Sequence, residues 1–199
     1  MRRLLWLVCA SGCLQAETFT YWIQPCAPAN ARETACAAGD PELAEWALEA
    51  WHHTARQELS FASAPRDQAR IRIFWASHRE RLYGEARPIT IQGRRGTVIY
   101  VNPDVAQLGE EVQATASHDE LLRDAIVYLT CVHESGHALG LTHTGKFEDI
   151  MYSFGFGGNV VEYFERYRRQ IAARADIRTH SGISAYDRQR LFDLLRKHP

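Results

Sequence analysis

The chain has 199 residues, of which 46% are hydrophobic and 24% charged, with a formal net charge of −1 and a pI near 6.8. This length and composition are typical of one globular domain with enough residues to bury a core. The nearly balanced charge excludes a protein that binds nucleic acid through a strong basic field, so we expect no nucleic-acid partner.

The first 16 residues have the layout of a secretion signal. Two arginines precede the apolar run 4–10, which is too short to span a bilayer, and small residues follow. Two processing routes are open. Cleavage after Ala16 would leave a mature chain that begins at residue 17, whereas the stretch ASGC resembles a bacterial lipobox and would leave a lipid anchor on Cys13. We therefore expect an exported protein without a transmembrane helix, which is secreted, periplasmic or lipid-anchored.

Export also determines how the cysteines are interpreted. Cys26 and Cys36 enclose a short loop and could form a disulfide in an oxidising compartment. Cys131 is then left over. On a helix it would point about 200° away from His133, two residues later, so we interpret it as a buried and inert thiol.

The first half of the mature chain is predicted to be rich in strands. Alternating residues predict a strand over 18–25, which a polar, alanine-rich loop follows. With Asp40 as a candidate cap and Pro41 at the first helical position, a helix is predicted over 40–59. Three more strands are predicted at 69–76, 87–92 and 96–103, the last two joined by a glycine-containing turn.

The second half is predicted to be mostly helical. Ser117 and Glu120 have the spacing of a capping box at the start of a long helix. The predicted elements are a polar loop over 104–117, this helix over 118–139, a glycine-rich turn region, an amphipathic helix over 159–178 and a final helix capped by Ser184.

The long helix ends in the sequence HESGHALGLTH, residues 133–143. His133 and His137 are four residues apart, so both imidazoles lie on one face of the helix and can reach the same metal ion. Gly140 allows the chain to turn, and His143 can then approach that ion from another side. Glu134 is rotated away from the ligands and can act on a water molecule. Three neutral imidazoles leave a fourth position open, as in catalytic zinc sites.

This pattern, HExxHxxGxxH, resembles the signature of the metzincin zinc proteases. Met151 lies eight residues after His143 and precedes Tyr152, which is similar to the methionine turn of the matrixins, the branch that includes the matrix metalloproteinases. The resemblance implies an α+β metzincin fold with a twisted mixed β-sheet, a long active-site helix, a methionine turn and a C-terminal helix. One matrixin-like catalytic domain would span 17–199, and we expect a monomer.

The function that the resemblance implies is a zinc-dependent endopeptidase that acts on proteins or peptides. His133, His137 and His143 would bind one catalytic Zn²⁺. Glu134 would be the general base for a metal-activated water, and Met151 would form an apolar floor below the metal. The substrate would lie along an edge strand that includes RPITIQ. The alternative is a non-catalytic binding module that contains zinc, although a structural site has no need of Glu134.

The chain also departs from the vertebrate matrixins. No cysteine-switch motif is recognisable, and neither is the segment rich in aspartate and glycine that holds structural zinc and calcium there. Bound Ca²⁺ is therefore left open, and His78 and His118 are not assigned as ligands. The predicted helix over 159–178 looks like an insertion, which either caps the substrate cleft or packs on the scaffold.

Overall fold

A computed structural model describes residues 17–55, 58–77, 79–80 and 82–197; the predicted signal segment 1–16, with Cys13, and His78 lie outside them. The helices and strands are β1 (Glu17–Ile23), α1 (Pro28–Thr34), α2 (Asp40–Thr54), β2 (Leu59–Ser63), β3 (Ile71–Trp75), β4 (Gly84–Ile91), β5 (Arg94–Val101), α3 (Glu110–Ala116), α4 (Glu120–Ala138), α5 (Val160–Arg168) and α6 (Ala185–Lys197). Short 3₁₀ helices form at Val105–Leu108, Phe154–Phe156 and Arg174–Arg178.

The five strands form one mixed sheet in the order β2-β1-β3-β5-β4. Four of them run parallel, and only β4 is antiparallel to its neighbour β5. These two strands form a hairpin whose turn residues, Gln92 and Gly93, both have positive φ, as a two-residue type I′ turn requires. The hairpin therefore places β4, which contains most of the RPITIQ stretch, at the edge of the sheet.

The core lies between one face of the sheet and the helices α2 and α4. Alternate residues of β3, Ile71, Ile73 and Trp75, are buried in it. Trp51 of α2 is fully buried, and its indole N–H donates to the Val132 carbonyl of α4 at 2.9 Å. Burying side chains of this size contributes about 1.5–3 kcal/mol each. The longest helix is thus held tightly against both α2 and the sheet.

Several predictions about the fold are confirmed. The mixed sheet, the long helix α4 and the C-terminal helix α6 are present, as the α+β class implied. Cys26 and Cys36 form a disulfide, and Cys131 is a buried free thiol. Among the residues that the structure describes, no helix combines the length and the apolar character needed to cross a membrane.

The boundaries of other predicted elements are wrong. The helix predicted over 40–59 ends at Thr54, and Leu59 begins β2. Leu59 continues the apolar spacing of the helix, but it pairs with Glu17 in β1, a contact between distant residues. The loops predicted after β1 and over 104–117 contain the helices α1 and α3.

The predicted helix ends also need correction. Asp119, not Ser117, caps α4, because its carboxylate accepts the Leu122 N–H at 3.0 Å. The helix predicted over 159–178 is interrupted: α5 ends at Arg168, and a 3₁₀ turn follows at 174–178. The Ser184 cap of α6 is confirmed, since its hydroxyl accepts the backbone N–H of Asp187 at 3.0 Å.

Candidate metal centre

The structure brings the three predicted histidines together at the end of α4. The Nε2 atom of His143 lies 3.3 Å from Nε2 of His133 and 3.1 Å from Nε2 of His137. With zinc–nitrogen distances of about 2.0–2.1 Å, tetrahedral ligand nitrogens would be about 3.3 Å apart. These three side chains therefore fit a zinc ion. No other group of three potential ligands occurs among the described residues, and His118 is exposed.

Backbone carbonyls orient two of the three rings. Nδ1 of His133 lies 2.6 Å from the Ile150 carbonyl oxygen, and Nδ1 of His137 lies 2.8 Å from that of Leu141. A carbonyl oxygen can only accept a hydrogen bond, so each Nδ1 carries the proton. The lone pair of each Nε2 is then directed to the common centre, which is the tautomer that metal binding at Nε2 requires.

Burial favours the uncharged form of these imidazoles. It lowers the pKa of His133 to about 3, with a smaller contribution from the neighbouring His137. Partial burial also lowers the pKa values of His137 and His143. A metal binds only the neutral imidazole, so the rings are in the state that a ligand needs near neutral pH.

The chain reaches His143 through a turn at Gly140. Gly140 has φ of 102°, a conformation that side-chain-bearing residues rarely adopt. The Leu141 N–H donates to the Gly136 carbonyl at 2.9 Å, which closes the helix end. The chain can therefore reverse within a few residues and bring a third imidazole to the first two.

Met151 lies directly against this end of α4. It is fully buried, and a Cβ atom added at Gly136 would lie 2.4 Å from its sulfur. Gly136 stands between the two helical histidines in the sequence, so the thioether packs beneath the turn that carries them. This is the apolar position that the resemblance to the matrixins implies for Met151.

Glu134 lies at the boundary between two depressions in the surface. Only 6% of the residue is exposed. One depression, about 270 Å³, lies beside His133; the other, about 420 Å³, lies beside β4 and His137. Burial, with a smaller contribution from the Glu85 carboxylate, raises the pKa of Glu134 to about 8. Glu134 therefore borders both depressions, and burial favours its protonated form.

Aromatic side chains form much of the pocket beside His133. Tyr83, Tyr152 and Phe154 line it together with Tyr163 and Phe164 of α5. The last two rings meet edge to face, with centroids 5.2 Å apart. Sequence reasoning missed these two residues as part of the site. Their amphipathic spacing was visible, but nothing in it indicated which surface α5 covers.

The rest of the predicted insertion packs on the scaffold. Arg174 forms an ion pair with Asp124 of α4 at 2.9 Å and donates to the Gly39 carbonyl at 2.8 Å. Arg178 pairs with Glu49 of α2 at 2.7 Å. The 3₁₀ turn thus packs on the scaffold, whereas α5 borders the pocket beside His133.

Comparison with known protein families gives one finding. The family model Peptidase_M10, described as Matrixin, matches residues 14–159. The matched part contains the sheet, α4, the three histidines and Met151, and it ends just before α5. A search of curated proteins finds no match to the chain.

Proposed function

We propose, from the membership of this chain in the matrixin family, that it is a zinc-dependent endopeptidase that hydrolyses peptide bonds in proteins. The single observation that carries the proposal is the convergence of three Nε2 atoms, two of them with Nδ1 turned to a carbonyl. This geometry supports His133, His137 and His143 as the ligands of one catalytic Zn²⁺. When bound, zinc supplies Lewis acidity, which lowers the pKa of water and polarises a carbonyl group.

Glu134 is the proposed general base and acid. In its ionised form, the Glu134 carboxylate accepts a proton from the attacking water and later delivers that proton to the amine that leaves. The small exposed fraction of Glu134 supports this role, because a proton held there is shielded from bulk water. Its place between the two depressions puts it beside any peptide that occupies both.

The proposed substrate is an extended polypeptide along β4. One side of β4 pairs with β5, and the strand lies at the edge of the sheet. The edge backbone groups can hydrogen-bond to a peptide that adds as a further strand. Residues of β4 border the depression of about 420 Å³, together with His137 and His143. An apolar substrate side chain would occupy the aromatic pocket beside His133.

We also propose that the protein is exported. The residue pattern of 1–16 supports this, and the Cys26–Cys36 disulfide favours an oxidising compartment. Mass spectrometry of the mature N-terminus separates the two processing routes. It would find either a chain that begins at Glu17 or a lipid-modified Cys13.

The substitution Glu134→Gln tests the catalytic proposal. It keeps the size of the side chain but removes its ability to accept a proton. We expect kcat for a quenched peptide to fall by about 10²–10⁴-fold, while bound zinc is retained.

The matched control is Glu148→Gln, the same change at an exposed carboxylate, which should leave kcat unchanged. Full activity of the Glu134→Gln variant would contradict the assigned role. Zinc binding by the wild-type protein, without any cleavage that a hydroxamate chelator blocks, would instead support the non-catalytic module.

A further inference from the structure

The third histidine is held differently from the first two. Carbonyl groups fix the Nδ1 atoms of His133 and His137, both of which project from α4. Within the described part of the chain, the hydrogen-bonding contacts of the His143 ring are with the other two imidazoles. His143 is also exposed and follows the helix end. The position of its ring therefore depends on how firmly its backbone is held.

The turn around Met151, residues 149–153, fixes the backbone on the C-terminal side of His143. The Thr144 N–H donates to the Met151 carbonyl at 2.9 Å, and the Ser153 N–H donates to the Thr144 carbonyl at 3.3 Å. The Thr144 hydroxyl donates to the buried carboxylate of Asp149 at 2.8 Å. Three hydrogen bonds thus hold the residue that follows the third ligand.

Arg190 of α6 holds the backbone on the N-terminal side of His143. Its Nη2 atom lies 2.8 Å from the Thr142 carbonyl oxygen and 2.8 Å from the Thr142 hydroxyl oxygen. The carbonyl belongs to the peptide group that joins Thr142 to His143. Fixing that oxygen restricts the rotation of the peptide plane, and hence the direction in which His143 leaves the backbone.

Helix α6 presents Arg190 from a fixed position. The Asp187 carboxylate accepts the backbone N–H of Ile150 at 2.7 Å, which fastens the start of α6 to the methionine turn. Leu191, the residue after Arg190, is fully buried. The Arg190 guanidinium also lies 5.8 Å from the ring of Tyr186, one helical turn earlier. These contacts limit the positions that the guanidinium can take.

We propose that Arg190 is a positioning residue for the metal centre, which orients His143 through the Thr142 peptide group. The inference rests on the proposed function, because it concerns the same three ligands. It adds a residue outside the matched range 14–159, on a helix that provides no ligand. Arg190 acts through its two hydrogen bonds to Thr142.

The substitution Arg190→Met tests this role, because it keeps an unbranched chain and removes both hydrogen bonds. Zinc affinity is measured by competition with a chromophoric chelator, and coordination by the visible absorption of the Co²⁺-substituted protein. Loss of a hydrogen bond that orients a metal ligand, made by a group that does not contact the metal, costs about 10–100-fold in metal affinity. We expect a loss in that range and a changed Co²⁺ spectrum.

Two further variants provide the controls. Arg188→Met removes an exposed arginine from the same helix and should leave zinc affinity unchanged. Arg190→Lys places an ammonium group that can still donate to both Thr142 oxygens, so it should restore most of the affinity. If Arg190→Met does not fold, Thr142→Val, which removes one acceptor, should weaken zinc binding by a smaller factor; wild-type affinity in that variant would then overturn the proposal.

Other outcomes separate this inference from the proposed function. An Arg190→Met variant that binds zinc as tightly as the wild type, even if its Tm in EDTA is lower, shows a purely structural role and overturns the proposal. If the wild-type protein itself binds no zinc, the proposed function fails instead.

Discussion

The histidines of the candidate metal centre lie in two regions, helix α4 and the segment 139–197. The two regions differ in how far apart in the sequence the residues are that hold these side chains in place. In α4, the separation of His133 and His137 follows from the helical repeat, and burial against α2 and the sheet keeps the helix in place. In the later segment, His143, the pocket wall and Arg190 are placed by contacts with residues distant in the sequence. Substitutions in α4 and in the segment 139–197 should therefore affect different properties of the protein.

Metal binding and substrate preference can therefore vary independently. Helix α4 holds His133, His137 and Glu134, the proposed ligands and general base. The segment 139–197 carries His143, the proposed third ligand, and supplies Tyr152, Phe154, Tyr163 and Phe164 to the aromatic pocket beside His133. We expect substitutions in α4 to affect metal binding, catalysis or folding, whereas substitutions in α5 should mainly change substrate preference.

The largest effect is expected from the loss of a ligand. His143→Ala leaves two imidazoles, which cannot complete a three-histidine site. We expect no hydrolysis and little zinc after dialysis, measured by elemental analysis, with the fold retained by circular dichroism. His118→Ala, at an exposed position outside the cluster, should keep both zinc and activity. Stoichiometric zinc in the His143→Ala variant would show that this ring is not a ligand.

A large effect on stability is expected at the contact between α4 and Met151. In Gly136→Ala, the added Cβ atom would lie 2.4 Å from the Met151 sulfur, so side chains or backbone must shift. Overpacking of this kind costs about 1–3 kcal/mol, measurable by urea unfolding. Ser135→Ala is the neighbouring control, because its buried hydroxyl has no hydrogen-bond partner among the residues that the structure describes. If Gly136→Ala is as stable as Ser135→Ala, Met151 does not pack tightly there.

A smaller effect is expected in the aromatic pocket. Phe164 is 2% exposed and lines the pocket beside His133. Phe164→Leu should cost about 1 kcal/mol of stability and enlarge the pocket. In a peptide-library cleavage profile, preference should shift towards larger apolar side chains, by about tenfold in relative kcat/KM. An unchanged profile would mean that α5 does not contact the substrate.

The smallest effect is expected where the later segment meets α2. Arg178 and Glu49 form an ion pair between exposed side chains, which solvent screens strongly. Arg178→Ala should leave the urea midpoint and the cleavage profile within experimental error. A clear change in the profile would show that the fastening of 174–178 to α2 controls the position of α5.

The parts of the site that could be predicted from the sequence are those with a local cause. The spacing of His133 and His137, the glycine that ends α4 and the position of Met151 are all visible within 133–151. Alternating residues also indicated four of the five strands. The acidic pair Glu110–Glu111 after Gly109 was an available signal for α3 that the prediction of a loop overlooked.

The remaining features have causes that lie far along the chain. Leu59 fits the apolar spacing of α2, and only its pairing with β1 decides that it begins a strand. Tyr163 and Phe164 look like ordinary buried residues of an amphipathic helix until the helix is placed beside His133. Arg190 looks like any charged residue of α6, and its contact with Thr142 spans 48 residues. Local patterns do not encode such contacts.

The most direct measurement is the zinc content and ligand set of the folded, purified protein. Elemental analysis gives the stoichiometry, and X-ray absorption at the zinc edge gives the number of imidazole ligands. We expect one zinc ion per chain, bound by three imidazole nitrogens at about 2.0–2.1 Å. Folded protein that takes up no zinc, or that binds zinc through fewer than three imidazoles, would contradict this expectation.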